Sequence, residues 1–252
     1  MLLEERFSRI LHLLKQKGTV SVTELSSLLH TSESTIRRDI AALSRQGKLK
    51  KVYGGAKAVD STILTSEFDV QTKSAMNVEE KTKIAQYAAT TIQNDDFVYI
   101  DAGTTTLLML DYIDAPNAVF VTNGIPHAKK LIQKGYQAYV TGGQIKLATE
   151  AIVGAESVQS IQKYNFTKCF MGTNGIDIKR GFTTPNIDEA LIKGEAVRRS
   201  YMAYVLADHT KFRQVSSVTF ASLSDACIIT DQLNFKEFEE YTVIKAVNTD
   251  HQ

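Results

Sequence analysis

Three residues, His30-Thr31-Ser32, separate two amphipathic segments near the start of the chain, and no other feature limits the fold so tightly. Before them, Val22–Leu29 gathers Leu25, Leu28 and Leu29 on one side and reads as a short helix. After them, Ile36, Ile40 and Leu43 recur at i, i+4 and i+7, which gives a second helix one apolar stripe to bury. Thr31 or Ser32 is placed to cap it. A turn this short admits only a tight crossing, the helix-turn-helix arrangement whose second helix enters the major groove of DNA. Arg37 and Arg38 fall outside the stripe, beside Ser34 and Thr35. Mid-helix cations gain little from the helix dipole, so a group outside the helix must account for them. A solvated charged face is the plainer alternative.

Charge favours the DNA reading. The net charge of +1 over 252 residues conceals an asymmetry. Residues 1–57 hold eleven Lys/Arg against five Asp/Glu, whereas the remaining 195 hold eighteen against twenty-three. Between Arg37 and Lys57 there are seven basic residues and one acid, Asp39. A basic head on an acidic body is the footprint of a nucleic-acid partner. Leu3–Lys17, with Phe7, Ile10, Leu11 and Leu14 inward, supplies a first helix closed by Gly18, and Thr19–Val22 is an extended link. Gln46-Gly47 stops the second helix of the motif. Lys48-Leu-Lys-Lys-Val-Tyr-Gly-Gly55 then reads as a wing, a small basic hairpin laid along the DNA backbone. The candidate DNA-binding residues are Ser32, Ser34, Thr35, Arg37, Arg38, Lys48, Lys50 and Lys51.

Residues 58–77 are polar and weakly periodic and read as an interdomain linker. From Val78 to the C-terminus helices and strands alternate. Helices are expected over Val78–Ile92, Leu107–Ile113, Pro126–Lys134 and Asp188–Ser200. Strands are expected over Phe97–Ile100, Ala118–Val121, Gln137–Val140, Lys168–Met171, Met202–Leu206 and Ala226–Ile229, with an edge strand in Tyr241–Val247. Such alternation predicts an α/β domain with a mostly parallel sheet, covered on both faces and preceded by an all-α, winged helix-turn-helix domain. Cys169 and Cys227 lie in apolar runs without metal-ligand spacing and read as buried reduced thiols. The start of the chain lacks a signal-peptide pattern, and no apolar run reaches the roughly 18 residues of a membrane span. A cytoplasmic protein with no cofactor and no metal is expected.

Ligands of open α/β sheets bind beyond the carboxyl ends of the strands, where this chain repeatedly places Gly, Thr and small polar residues. The candidates are Asp101, Gly103, Thr104, Thr105 and Thr106; Thr122 and Asn123; Gly142 and Gly143; Asn174, Gly175 and Asp177; and Asp208 with Lys211. Glycine lets backbone N–H groups approach an anion and threonine hydroxyls add donors, the chemistry of a phosphate cradle. Asp101, Asp177 and Asp208 suit sugar hydroxyls, with helix capping or loop satisfaction as the alternative for each. Lys211 and Lys193 suit a phosphate, but Lys193, Arg198 and Arg199 sit on an expected helix, where solvated charge is the default.

Arg6, Gly18, Leu25, Thr35-Ile-Arg-Arg-Asp-Ile40, Leu43, Gly47, Leu49 and Gly54-Gly-Ala56 resemble the signature of the DeoR family of bacterial transcriptional regulators. Asp101-Ala-Gly-Thr-Thr-Thr106, Thr122-Asn-Gly124, Gly142-Gly143, Gly172-Thr-Asn-Gly-Ile-Asp177 and Ala207-Asp-His-Thr-Lys-Phe212 extend the resemblance through that family's sensor region. It implies a repressor of a sugar-utilisation operon that leaves operator DNA when a phosphorylated sugar binds. An activator is not separated from a repressor by these residues. Helix-turn-helix proteins pair to read half-sites, so a homo-oligomer, dimer or tetramer, is expected. Gly181-Phe-Thr-Thr-Pro185 resembles the fructose-operon repressors of Gram-positive bacteria and makes fructose 1-phosphate the first candidate, with tagatose 6-phosphate or another intermediate as alternatives.

The family's sensor domain is similar in fold to ribose 5-phosphate isomerase, whose phosphate loop is Gly-Ser-Gly-Ser-Thr and whose second loop is Asp-Gly-Ala-Asp. This chain has Ala102-Gly-Thr-Thr-Thr106 and Asn174-Gly-Ile-Asp177, and nothing near Phe182–Pro185 matches the isomerase's Lys-Gly-Gly-Gly. An amide at Asn174 cannot act as a general base, which favours a sensor over the alternative of an isomerase with an accessory nucleic-acid domain.

Overall fold

The computed structural model describes residues 3–45, 48–58, 63–64 and 69–247. Internal packing divides the chain between Thr62 and Ile63 into two units.

In the first unit three helices, α1 (Leu3–Lys17), α2 (Val22–Leu29) and α3 (Glu33–Arg45), share one core of Ile10, Leu14, Leu25, Leu29, Ile36, Ile40 and Leu43. Leu28, expected inward, is exposed, because Val22, Leu25 and Leu29 form the buried face of α2. Ser21 starts α2 by accepting from Glu24 N–H at 3.1 Å. His30 ends it in the left-handed region at φ 48°, which lets the chain reverse at once. Ser32, rather than Thr31, caps α3, its hydroxyl accepting from Thr35 N–H at 3.4 Å. The expected stop at Gln46-Gly47 lies outside the described residues. Thr19–Ser21 does more than link: it pairs antiparallel with Gly55–Lys57, which pairs with Lys50–Val52 to complete a three-stranded sheet. Tyr53-Gly54 is the turn of the wing, Gly54 standing at φ +78°. A Cβ on Gly55 would lie 2.3 Å from the Val20 carbonyl oxygen, so only glycine allows this strand its approach.

Asp39, the one acid in the basic stretch, turns inward from α3. Arg6 of α1 grips it through Nε at 2.5 Å and Nη2 at 3.0 Å. The pair is nearly closed to water, with side-chain exposures of 13% and 5%, and ties the first helix to the third.

The second unit is built on a seven-stranded sheet. Its strands, in spatial order, are Ile244–Ala246, Cys227–Thr230, Ser200–Leu206, Phe166–Gly172, Phe97–Ile100, Val119–Thr122 and Gln137–Val140, each neighbouring pair parallel. Side chains alternate across a strand, so the two faces can be read separately. Val98, Ile100, Phe120, Phe170, Leu206 and Ile229 pack on one side with α5 (Val78–Thr90), whose Ile84, Ala85 and Ala88 are buried there. Tyr99, Val121, Cys169, Met171, Val205 and Ile228 face the other side, where Ile161 of α8 (Ala155–Gln162) and Ile192 and Ala196 of α9 (Ile187–Arg198) cover them. Cover on both faces explains why the central strand Phe97–Ile100 is apolar at every position, whereas the edge strand Gln137–Val140 is largely exposed.

Several elements depart from the sequence reading. The stretch read as linker contains Ile63–Leu64, paired with Val215–Ser216, and α4 (Val70–Ala75), both in the second unit. α4 is capped by Asp69 and buries no side chain, so it leaves no apolar periodicity to detect. α6 (Thr104–Met109) begins three residues before the expected Leu107. Its first residues are threonines of low helix propensity, and the Thr106 hydroxyl instead secures the entry by accepting from Gly103 N–H at 3.0 Å. α7 (Ile125–Gln133) follows the expected position closely. An antiparallel pair, Gln144–Lys146 with Ala151–Val153, and a small sheet of Gly175–Asp177, Gly181–Thr184 and Val218–Ala221 had no expected counterpart. Cys169 is fully buried, and burial pushes its thiol up to about 12. Cys227 is only half-buried, a correction to the reading of both as core thiols.

Candidate functional site

In the first unit the exposed side of α3 is the face opposite Ile36, Ile40 and Leu43. Ser32, Ser34, Arg37 and Arg38 are exposed there and Thr35 is half-buried. The three hydroxyls form a chain, Ser32 Oγ lying 3.1 Å from Ser34 Oγ and 3.0 Å from Thr35 Oγ1. Arg37 reaches back one turn to Glu33 at 3.0 Å; that hydrogen bond, followed by one from Thr23, holds the Glu33 carboxyl below its ordinary value. Arg38 makes no ion pair among the described residues. Lys48, Lys50 and Lys51 are all exposed on and before the wing. A shallow cleft lined by both Arg37 and Lys51 joins the second helix of the motif to the hairpin, so the two basic elements present one surface. Surface charge of one sign, with aligned donors and exposed arginine forks, is what a phosphate backbone and guanine edges accept.

The second unit carries a cleft at the carboxyl ends of its central strands. It encloses about 760 Å³ when the open space at its mouth is included. Of the residues expected at the strand tips, Asp101, Gly103, Thr104, Thr105, Asn123, Asn174, Asp208 and Lys211 line it. The other six do not. Thr106 is fully buried with its hydroxyl donating to the Asp101 carbonyl at 2.6 Å, and Thr122 likewise donates to the Ile100 carbonyl at 2.6 Å. Gly142 and Gly143 follow the outermost strand; Gly143 stands at φ +128° hard against the Val153 carbonyl. Gly175 packs on the Gln214 carbonyl, where a Cβ would come within 2.4 Å. Asp177 is spent on a hairpin turn, accepting from Lys179 and Arg180 N–H groups at 2.9 Å each.

The floor of the cleft is a buried ion pair. Asp101, after the Phe97–Ile100 strand, binds the Lys193 ammonium of α9 and accepts from Gly172 N–H at 3.0 Å. Lys193 also donates to the Gly172 carbonyl at 3.1 Å. Lys193 is therefore 6% exposed and no solvated lysine, because the adjacent strand tips supply its acceptors. Arg198, the last residue of the same helix, and Arg199, which caps it, are both paired to Glu195. Asn123 bridges the wall, accepting from Ala102 N–H at 3.1 Å and donating to the Ile152 carbonyl at 3.2 Å. Asn174 accepts from the Thr184 hydroxyl at 3.2 Å.

Asp208 caps the turn His209–Lys211 through Thr210. Burial opposes its ionisation, but Lys211, Thr210 and Asn77 outweigh that and keep its carboxyl below the usual range. His127 stands behind the loop, its Nε2 3.1 Å from both the Thr106 hydroxyl and the Gly103 carbonyl. Burial lowers it to about 4, so at neutral pH it is an uncharged prop for the Gly103 turn.

Several cleft residues carry no mark in the sequence. Glu189 of α9 is 7% exposed and accepts from Lys146 at 2.8 Å and Thr149 at 3.0 Å. Lys81 of α5 is 5% exposed and also lines the cleft, as do Val70 and Lys73 of α4. Nothing local distinguishes these positions: a charged residue on a helix is ordinarily solvated, and only the fold brings a cavity to it. Among the described residues no cluster of His, Cys, Asp or Glu suits a metal ion, and no described helix is long and apolar enough to cross a membrane.

Residues 6–62 match the family model described as a DeoR-like helix-turn-helix domain, and residues 76–232 match that of the DeoR C-terminal sensor domain. The chain is 43% identical over 251 residues to the uncharacterised HTH-type transcriptional regulator FruR of Bacillus subtilis (strain 168), covering 98% of this chain and 99% of that one. It is 36% identical over 217 residues to a putative aga operon transcriptional repressor of Escherichia coli O157:H7, at 84% and 80% coverage. It is 30% identical over 244 residues to the lactose phosphotransferase system repressor of Staphylococcus aureus (strain N315), covering 96% of each. Among solved structures, a ribose 5-phosphate isomerase from Methanocaldococcus jannaschii aligns over 54% of this chain and 55% of its own, with 12% identity and a TM-score of 0.39.

Proposed function

The chain belongs to the DeoR family of DNA-binding transcriptional regulators, and we propose that it represses a sugar-utilisation operon and releases operator DNA when a phosphorylated sugar fills the cleft. It is a regulator and not an enzyme. Two of its relatives are named as repressors, one of a lactose phosphotransferase system, which supports a sugar signal. The observation that carries the effector's class is the cleft itself: glycine, threonine, amide and lysine groups on the tips of four parallel strands, beneath a paired Asp101–Lys193 floor. Fructose 1-phosphate is the first candidate, on the resemblance of Gly181–Pro185 to fructose-operon repressors.

In the bound state Gly103, Thr104, Thr105 and Lys211 hold the phosphate, while Asn123, Asn174 and Asp208 take the hydroxyls. On DNA, Arg37 and Arg38 contact guanine edges or phosphates, Ser32, Ser34 and Thr35 flank them, and Lys48, Lys50 and Lys51 hold the backbone. Two copies reading paired half-sites about 34–36 Å apart make the active species a homo-oligomer of the cytoplasm. The unit up to Thr62, whose residues 1–57 carry the helix-turn-helix and wing, is the DNA-binding domain, and the unit from Ile63 on is the sensor, so part of the stretch 58–77 read as linker belongs to the sensor.

A thermal-shift panel of phosphorylated and unphosphorylated sugars tests the effector class. Fructose 1-phosphate at about 100 times its dissociation constant is expected to stabilise the protein by roughly 2.7 kcal/mol. Fructose itself is expected to leave the melting temperature where it was. A panel in which only unphosphorylated sugars shift the melt would exclude a phosphate from the effector.

A further inference from the structure

We propose that Tyr53, at the apex of the wing, reads the minor groove: its ring lies between the sugar walls beside each half-site, and its hydroxyl donates to the acceptors of A·T pairs. This rests on the DNA-binding role of the head, but on neither the arginines of α3 nor the lysines of the wing. Tyr53 is 107% exposed, more than any other large hydrophobic side chain described. Among the described residues it makes no hydrogen bond and no ring contact. Neither packing nor turn chemistry accounts for a tyrosine there. Two-residue hairpin loops draw on Asn, Asp and Gly, and tyrosine belongs to half-buried strand positions.

The loop that carries this free ring is itself fixed. Val52 pairs with Gly55, which leaves Tyr53 and Gly54 as the two loop residues. Gly54 stands at φ +78°, and its carbonyl accepts from Val22 N–H, at the start of α2, at 2.8 Å. Gly55 lies against the Val20 carbonyl, too close for any side chain. A ring without contacts on a backbone held in place is arranged for a partner from outside, since little loop freedom remains to be lost on binding.

The surroundings identify that partner as a polyanion. Lys50 and Lys51 are exposed on the strand that leads to Tyr53, and Arg37 and Lys51 line the same shallow cleft as Gly54 and Gly55. Paired lysines beside the ring disfavour an apolar protein surface and favour phosphates. With α3 in the major groove, a hairpin projecting beside it crosses one phosphate backbone and meets the neighbouring minor groove. A flat side chain on a two-residue loop is slim enough for a groove about 6 Å wide. The hydroxyl then sets a preference. A·T and T·A pairs present only acceptors there, whereas G·C adds the guanine amino group. A phenol O–H donates to the first and is obstructed by the second. Lysine charge draws no such distinction, so the contribution of Tyr53 is separable from that of Lys50 and Lys51.

The test uses the full-length protein and a duplex that wild type selects from a random pool. In the pairs flanking the half-site core, A·T is replaced by G·C or by inosine·C, which keeps the major-groove face of G·C and lacks the minor-groove amine. Wild type is expected to lose about tenfold in affinity with G·C flanks and to recover it with inosine·C. Y53A is expected to bind all three duplexes alike, about tenfold more weakly than wild type binds the A·T form. Tyr53 packs on nothing, so Y53A is expected to melt with wild type. The chain contains no tryptophan, so Y53W places a single indole at the apex, and its emission is expected to shift when the selected duplex is added. Y53A that keeps the wild-type affinity and flank preference, or Y53W emission unmoved by saturating duplex, overturns the assignment and leaves DNA binding by the head in place. Loss of affinity that persists with inosine·C flanks puts the discrimination in the major groove and overturns the minor-groove reading. Wild type that selects no duplex removes the function on which the proposal stands.

Discussion

Replacing Asp101 by alanine is expected to destabilise the second unit by about 3–5 kcal/mol, the cost of leaving one member of a buried ion pair without its partner. Lys193 would keep a buried charge with only the Gly172 carbonyl to receive it, and Gly172 N–H would lose its acceptor. In a unit of this size each kcal/mol moves the melting temperature by about 2–4 °C, so a fall on the order of 10 °C is expected. The double variant D101A/K193M separates this from impaired ligand binding. With both charges removed, most of the stability returns, because a buried pair is worth little more than an apolar pair of similar volume. A D101A protein melting within a degree of wild type would show that the pair is not buried in solution.

The second large effect falls on the DNA-binding head. R38A is expected to weaken operator affinity by about 1–3 kcal/mol at fixed salt if the guanidinium reads a guanine edge, and R37A by a similar amount. The double variant is expected to approach nonspecific affinity. Both side chains are exposed, so neither change should disturb folding of the head. Arg37 is partly held by Glu33, and E33Q therefore tests whether that restraint sets the arginine's aim. Wing variants behave differently: replacing Lys50 or Lys51 weakens binding to all sequences alike and lowers the salt slope by about one for each phosphate no longer neutralised. Undiminished affinity in both R37A and R38A would remove α3 from the interface.

Much of this molecule is legible in its sequence because burial imposes periodicity. Ile36, Ile40 and Leu43 mark α3 and leave Arg37 and Arg38 outside, as the structure has them. Phe97-Val-Tyr-Ile100 is apolar at every position because both sheet faces are covered, and the polar residues that follow each strand mark the sheet edge where the cleft lies. What stays hidden is whatever depends on a partner distant in the chain. Lys193 and Asp101 are 92 residues apart, and α9 buries Glu189, Lys193 and Glu195 along with its apolar residues, so no stripe separates core from solvent. Lys81 is hidden for the same reason. Asp177 and Gly175 misled in the opposite direction: they look like ligand groups and serve a hairpin turn and a close backbone approach. α4 escaped because a helix that buries nothing leaves no pattern.

Coupling between cleft and head is the central claim, and operator release measures it most directly. A duplex selected by the wild-type protein from a random pool is labelled and bound at fixed salt, and fructose 1-phosphate, fructose and inorganic phosphate are titrated into the complex. Fructose 1-phosphate is expected to dissociate the complex over the same concentration range in which it raises the melting temperature, while fructose does not. A complex that stays intact at ligand concentrations saturating the cleft would contradict the coupling.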